Sequence, residues 1–258
     1  MGWQEAPATF QKATDLLLRG IKGTTVLAYI DDLIVFTKTF NEHVTQVTEV
    51  CRRLHEAGRA IKLSKVRWAK DVVDFLGFRI GKGLVTPKEG DVKSVLEIEE
   101  PRDDAALQHF LGCAGVYRKF IPDLSTLTSP MYKCGSIKGV PFVERWNKAC
   151  RVAFQRVRTS LENMAGMELP KGSYEQAIQV SGDRSGYGRI FLQRPACEYP
   201  WKPVEFFSGS YRDSEWKRSG PERIVMAVAD ILLKIRPYIN VGQTVNIFFM
   251  MNPELIGL

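Results

Sequence analysis

The chain is poor in the residues that build disulfide frameworks and zinc sites. Its five cysteines, Cys51, Cys113, Cys134, Cys150 and Cys197, are odd in number and widely spaced, with no Cys-x-x-Cys pair. That excludes a disulfide scaffold and suits a reducing compartment. Histidine is scarcer still: His43, His55 and His109 are the only three, and they read as isolated surface side chains rather than ligands. No apolar run approaches the roughly 20 residues of a membrane span. Residues 1–25 also lack the layout of a signal peptide. These absences predict a soluble intracellular chain with no membrane partner.

What is present is enough for packed cores, since 45% of the 258 residues are hydrophobic. Charge is uneven. Basic side chains number 36 and acidic ones 29, a net of +7, and residues 118–158 alone carry 9 basic and 2 acidic groups. One segment therefore accounts for the whole imbalance, which permits a polyanionic partner without requiring one.

Along the chain, Phe10, Ala13 and Leu17 recur at helical spacing after Pro7. Val26 to Ile30 and Leu33 to Phe36 are β-favouring runs separated by Asp31-Asp32, which predicts a tight hairpin with both carboxylates at its tip. Val44, Val47, Cys51 and Leu54 predict a helix stopped by Gly58, and Val72 to Ile80 a strand interrupted at Gly77. Leu107, Phe110, Leu111 and Ala114 form a helical stripe ended by Ile121-Pro122. From Trp146, Cys150, Ala153, Phe154, Val157 and Leu161 keep helical period while Arg145, Lys148, Arg151 and Arg158 mostly face elsewhere. Gly166 to Gly172 reads as a linker. Strands near Ala177 to Val180, Arg189 to Gln193 and Val204 to Phe207, a helix from Pro221 to Arg236 and a strand at Val245 to Phe249 follow, in the order βββαβ. The fold class is α+β.

Adjacent carboxylates at a turn repel and raise each other's pKa. A divalent cation offsets that repulsion, as in nucleotidyl transfer, where Mg²⁺ lies between carboxylates and phosphates. By itself an Asp-Asp pair also fits a plain solvated turn, because aspartate favours turns.

The flanking residues separate these readings. Tyr29-Ile30-Asp31-Asp32 resembles the Tyr-x-Asp-Asp box of reverse transcriptases from retroviruses and gypsy-type LTR retroelements. Gly2-Trp3 with Ala6-Pro7-Ala8-Thr9-Phe10-Gln11 is similar to the preceding palm motif, Gly58 through Lys65 to the following one, and Phe75-Leu76-Gly77-Phe78 to the primer-grip hairpin. Phe110-Leu111-Gly112, Tyr117 through Pro122, and Trp146 with Ala153-Phe154 resemble the thumb and the start of the connection. The resemblance implies a partial palm at 1–100, a thumb with a basic helix at 101–165, and a connection or degenerate ribonuclease H-like domain at 173–258. It makes Asp31 and Asp32 metal-binding carboxylates for Mg²⁺, places Tyr29 beneath the primer terminus, and puts Lys65 near the triphosphate as a candidate general acid. Phe75, Leu76 and Gly77 would meet the primer. Arg118, Lys119, Arg145, Lys148 and Arg151 would face template–primer phosphates; a solubilising face fits the basic helix equally well.

The same resemblance points to groups that are missing. Family polymerases use a third palm carboxylate upstream of the motif at Gly2, so the chain reads as N-terminally truncated, with vestigial or incomplete acids that do not polymerise alone. In the ribonuclease H-like region Asp183 fits the first nuclease carboxylate, but the helix position falls at Ile224 and the final one at Met250, both apolar. Glu222 lies two residues away on the helix, a rotation of about 200°. RNA cleavage is therefore not expected. Three hypotheses stay open: a binding fragment derived from an RNA-directed DNA polymerase, part of an active polymerase completed elsewhere, or a co-opted protein scaffold. An additional protein chain is expected to cover the Val26 to Phe36 hairpin.

Overall fold

The computed structural model describes residues 6–182, 187–209, 211, 215, 217–240 and 242–250. They form two compact units, residues 1–82 and 83–258.

In the first unit, helix α1 (Ala6–Leu17) accepts Pro7 in its opening turn, where a missing N–H costs nothing. Its buried side sits one residue beyond the expected stripe: Thr14 and Leu18 are buried, while Phe10 is 37% exposed beneath the Arg59 guanidinium, 4.2 Å from its ring. Thr14 is tolerated inside because its hydroxyl donates to the Phe10 carbonyl at 3.0 Å. Strands β1 (Val26–Tyr29) and β2 (Asp32–Val35) form an antiparallel hairpin. Helix α2 (Phe40–Glu56) starts at a capping box of Thr39 and Glu42 and stops before Gly58, at φ +68°. Arg53 of α2 donates to the carbonyls of Leu17 and Arg19 at 3.1 and 2.8 Å, and so ties α2 to the end of α1. Leu18, Val26, Val50 and Leu54 are the buried centre. Strands β3 (Val72–Phe75) and β4 (Phe78–Gly81) form a second hairpin.

The second unit opens with β5 (Leu84–Pro87) and helices α3 (Glu89–Leu96) and α4 (Asp104–Val116). Helices α5 (Leu124–Ser136), α6 (Phe142–Arg145) and α7 (Lys148–Glu162) follow. The expected stripes are buried intact on α4 and α7, and the Phe110 and Phe154 rings meet at 4.6 Å. Helix α4 ends at Val116, before the Ile121-Pro122 stop, and a 3₁₀ turn, Arg118–Phe120, fills the gap. Helix α5 carries Pro130 inside it, yet Leu124, Met131 and Cys134 bury enough surface to hold it.

Residues 166–172 do not behave as a linker. Met167 and Glu168 form strand β6, paired with β5; Met167 is buried, and Glu168 accepts from Gln193 and Lys202. The βββαβ order is present as β7 (Glu175–Gly182), β8 (Tyr187–Arg194), β9 (Lys202–Gly209), α8 (Gly220–Ile235) and β10 (Val245–Met250). The sheet order is β10-β7-β8-β9, with β10 parallel to β7 and the other pairs antiparallel. Ala227, Ile231 and Ile235 of α8 pack on Ile178, Val180 and Phe191. Gly188 lets the chain pass close by, for a Cβ there would lie 1.5 Å from Asp123 Oδ1.

Candidate functional site

Register sets the geometry of the acidic hairpin. Tyr29 pairs with Asp32, so the two-residue loop is Ile30-Asp31, and only Asp31 is at the tip. The expectation of both carboxylates at the tip is corrected by one position: Asp32 opens the second strand, directly across from Tyr29. Tyr29 is 54% exposed, and Asp31 and Asp32 are exposed beside it. Ile30 has φ +53°. The left-handed region costs an L-residue roughly 1–2 kcal/mol, and a β-branched residue there is an outlier. Its N–H donates to Gln11 Oε1 at 2.6 Å. Among the described residues no group of three or more His, Cys, Asp and Glu could hold a metal ion.

Lys65 is exposed at the end of a 3₁₀ turn, Leu63–Lys65. Phe75 pairs with Phe78, which makes Leu76-Gly77 the two loop residues; both have positive φ, +51° and +82°. This is a true hairpin turn rather than an interrupted strand, and Gly77 takes its second positive φ without strain. The exposed Leu76 side chain is carried at its tip.

The five basic candidates divide. Arg118 and Lys148 are exposed. Lys119 Nζ lies 3.4 Å from Glu205, and Arg151 donates to Glu100 at 3.0 Å; both pairs have exposed cations that can exchange partners. Arg145 is different. It is 8% exposed and donates to both Asp104 oxygens, at 3.1 and 2.8 Å, and to the Cys134 carbonyl at 2.8 Å. Asp104 is held below the usual carboxylate range by those bonds. Arg145 thus joins the start of α4 to the end of α5, and its guanidinium is committed inside the protein. Arg156, which the sequence leaves among the other cations of the helix, is exposed on α7 and lines a shallow groove with Arg151, Gln155, Thr159 and Ser160, beside Leu127 of α5.

The three nuclease positions do not share one element. Asp183 lies outside the described residues, Ile224 is half-buried on α8, and Met250 ends β10. Glu222 caps its own helix instead. Its carboxylate accepts from Ser219 N–H and Oγ, both at 2.8 Å, which lowers its pKa. His109 and Cys113 stand one turn apart on α4, with Sγ 3.9 Å from Nε2, so His109 is less isolated than its sequence context suggests.

Residues 1–80 match the family described as reverse transcriptase (RNA-dependent DNA polymerase), and residues 146–247 match the RNase H-like domain found in reverse transcriptase. The chain thus shows similarity to reverse transcriptase over its first 80 residues and to the ribonuclease H-like domain found with that enzyme over residues 146–247. It is 26% identical over 238 residues to the retrovirus-related Pol polyprotein of transposon 297, and 27% identical over 259 residues to that of transposon gypsy, both from Drosophila melanogaster. These matches cover 92% and 96% of this chain but only 22% and 24% of the relatives. A foamy viral protease-reverse transcriptase solved with an RNA/DNA hybrid shares the fold, at TM-score 0.79 and 22% identity over 100% of this chain and 36% of that one. The same enzyme solved with dsDNA gives a TM-score of 0.77 and is covered over 53%. No helix among the described residues is long and apolar enough to cross a membrane.

Proposed function

We propose that this chain is the rear palm (1–100), thumb (101–165) and connection or degenerate ribonuclease H-like part (173–258) of a retroelement reverse transcriptase. On this reading it binds template–primer duplex and adds no nucleotides by itself. The observation that carries the proposal is the Tyr29–Asp32 hairpin, which presents two consecutive carboxylates and an exposed tyrosine within the region of reverse transcriptase similarity. Hard, adjacent carboxylate oxygens fit Mg²⁺, which takes one or two carboxylates and completes its shell with water and phosphate oxygens. Asp31 and Asp32 would hold it weakly. When bound, the ion supplies neutralisation of phosphate charge. A further acid from outside the described residues would be needed for catalysis.

Duplex binding rests on Arg118, Lys148, Arg151 and Arg156, whose exposed charges suit sequence-independent phosphate contacts. Arg145 has no part in it. Exposed Leu27 and Phe36 on the acidic hairpin favour a further protein chain over that surface. The test is fluorescence anisotropy of a labelled template–primer duplex over a range of salt. Affinity should fall as salt rises, and Lys148→Glu with Arg156→Glu should weaken binding and flatten the salt slope. Failure to bind at any salt would favour a protein scaffold instead.

A further inference from the structure

We infer that Gln11, oriented by Asp15 and Lys22, is a positioning residue that holds the Ile30-Asp31 turn in its left-handed form and so aims the carboxylate pair. This rests on the reading of Asp31 and Asp32 as metal ligands. Three partners fix the Gln11 amide. Its Nε2 donates to Asp15 Oδ1 at 2.7 Å and to the Ala28 carbonyl at 3.2 Å, while its Oε1 accepts from the Ile30 N–H at 2.6 Å. A carboxylate and a carbonyl can only accept and a backbone N–H can only donate, so a flipped amide would lose all three bonds. Asp15 is in turn paired with Lys22, which holds it ionised. Lys22 is anchored by its own N–H, which donates to the Leu18 carbonyl at 2.8 Å, and by a bridge to Val26 at the start of β1.

The relay thus runs from the root of the hairpin to its turn. Its far end lands on the one residue of that turn whose backbone is strained, Ile30 at φ +53°. Without Gln11 Oε1 the Ile30 N–H loses its partner, and the turn is free to relax toward negative φ. That would rotate Asp31 away from Asp32.

The test uses the whole chain, ¹⁵N-labelled, with two readouts: hydrogen exchange of the Ile30 amide and paramagnetic broadening of the Asp31 and Asp32 amides by Mn²⁺. Gln11→Ala should speed Ile30 exchange about tenfold, as loss of one hydrogen bond of typical strength does. It should also weaken Mn²⁺ binding severalfold. Asp15→Asn should act in the same direction, more weakly. In an Ile30→Gly background, where positive φ carries no strain, Gln11→Ala should lose most of its effect on Mn²⁺. Unchanged Ile30 exchange in Gln11→Ala, or equal Mn²⁺ loss in both backgrounds, would overturn the inference. Broadening absent in the unsubstituted chain, with Ile30 exchange still responding to Gln11→Ala, would uphold the clamp and sink the metal reading.

Discussion

The unit of residues 1–82 and the ribonuclease H-like sheet invert each other's strengths. The first keeps a chemically pointed feature, the Asp31-Asp32 turn, on a slender scaffold whose buried centre is Leu18, Val26, Val50 and Leu54. The second keeps a full scaffold, with Ile178, Val180, Phe191, Ala227, Ile231 and Ile235 packed between sheet and helix. At two positions that family resemblance assigns to nuclease acids it carries Ile224 and Met250. The difference teaches that core packing and site chemistry are separable: apolar burial holds a fold whether or not its acids are present. It also shows that the acidic turn is held by polar bonds from Gln11 rather than by a deep core.

The largest test of this contrast is core truncation. Phe154→Ala should destabilise residues 83–258 by about 3–5 kcal/mol, whereas Leu54→Ala in the smaller core should cost about 2 kcal/mol, both read by chemical denaturation. The reverse order would break the comparison. Gly188→Ala should cost about 1–3 kcal/mol through overpacking against Asp123. Adding Asp123→Gly should recover much of that, because it removes the clashing oxygen at a position with φ +48°. For duplex binding, Lys148→Glu and Arg156→Glu should each lower the salt slope by about one, while Arg145→Gln should lower the melting temperature instead.

The smallest effects concern pH, and they have opposite signs. Hydrogen bonds from Arg52 and Arg53 lower Glu49 to about 2. Its contribution is therefore complete above the unfolded value near 4.5 and is lost as pH falls toward 2. Glu49→Gln should flatten that acid limb. Burial raises Glu205, which Lys119 only partly offsets. The folded state then holds this proton more tightly, so stability falls as pH rises from 4.5 through the raised value. Glu205→Gln should stabilise at neutral pH and lose that advantage in acid, as followed by thermal melts.

Much of this was legible from residue order. The α7 stripe at Cys150, Ala153, Phe154, Val157 and Leu161 is buried as its period requires, because a long amphipathic helix has one way to bury its apolar side. The hairpin was legible as a hairpin but not in register: Asp at a strand start carries no apolar signal, so alternation could not say which residue closes the turn. Strand β6 was hidden because its partner β5 is some eighty residues earlier, and a two-residue strand leaves no periodicity. Arg145 looked like a surface cation since its charge is visible in sequence while its partner, Asp104, is 41 residues away. Helix α5 is masked in the sequence by Pro130, since an interior proline ordinarily ends a helix.

Primer extension bears most directly on the claim that the acidic turn is a polymerase feature needing a further ligand. A labelled template–primer, Mg²⁺ and all four deoxynucleotides are mixed with this chain at concentrations where duplex is bound. The account predicts bound duplex and an unextended primer. Nucleotide addition that disappears in Asp31→Asn and Asp32→Asn would contradict it, for the pair would then suffice without another acid.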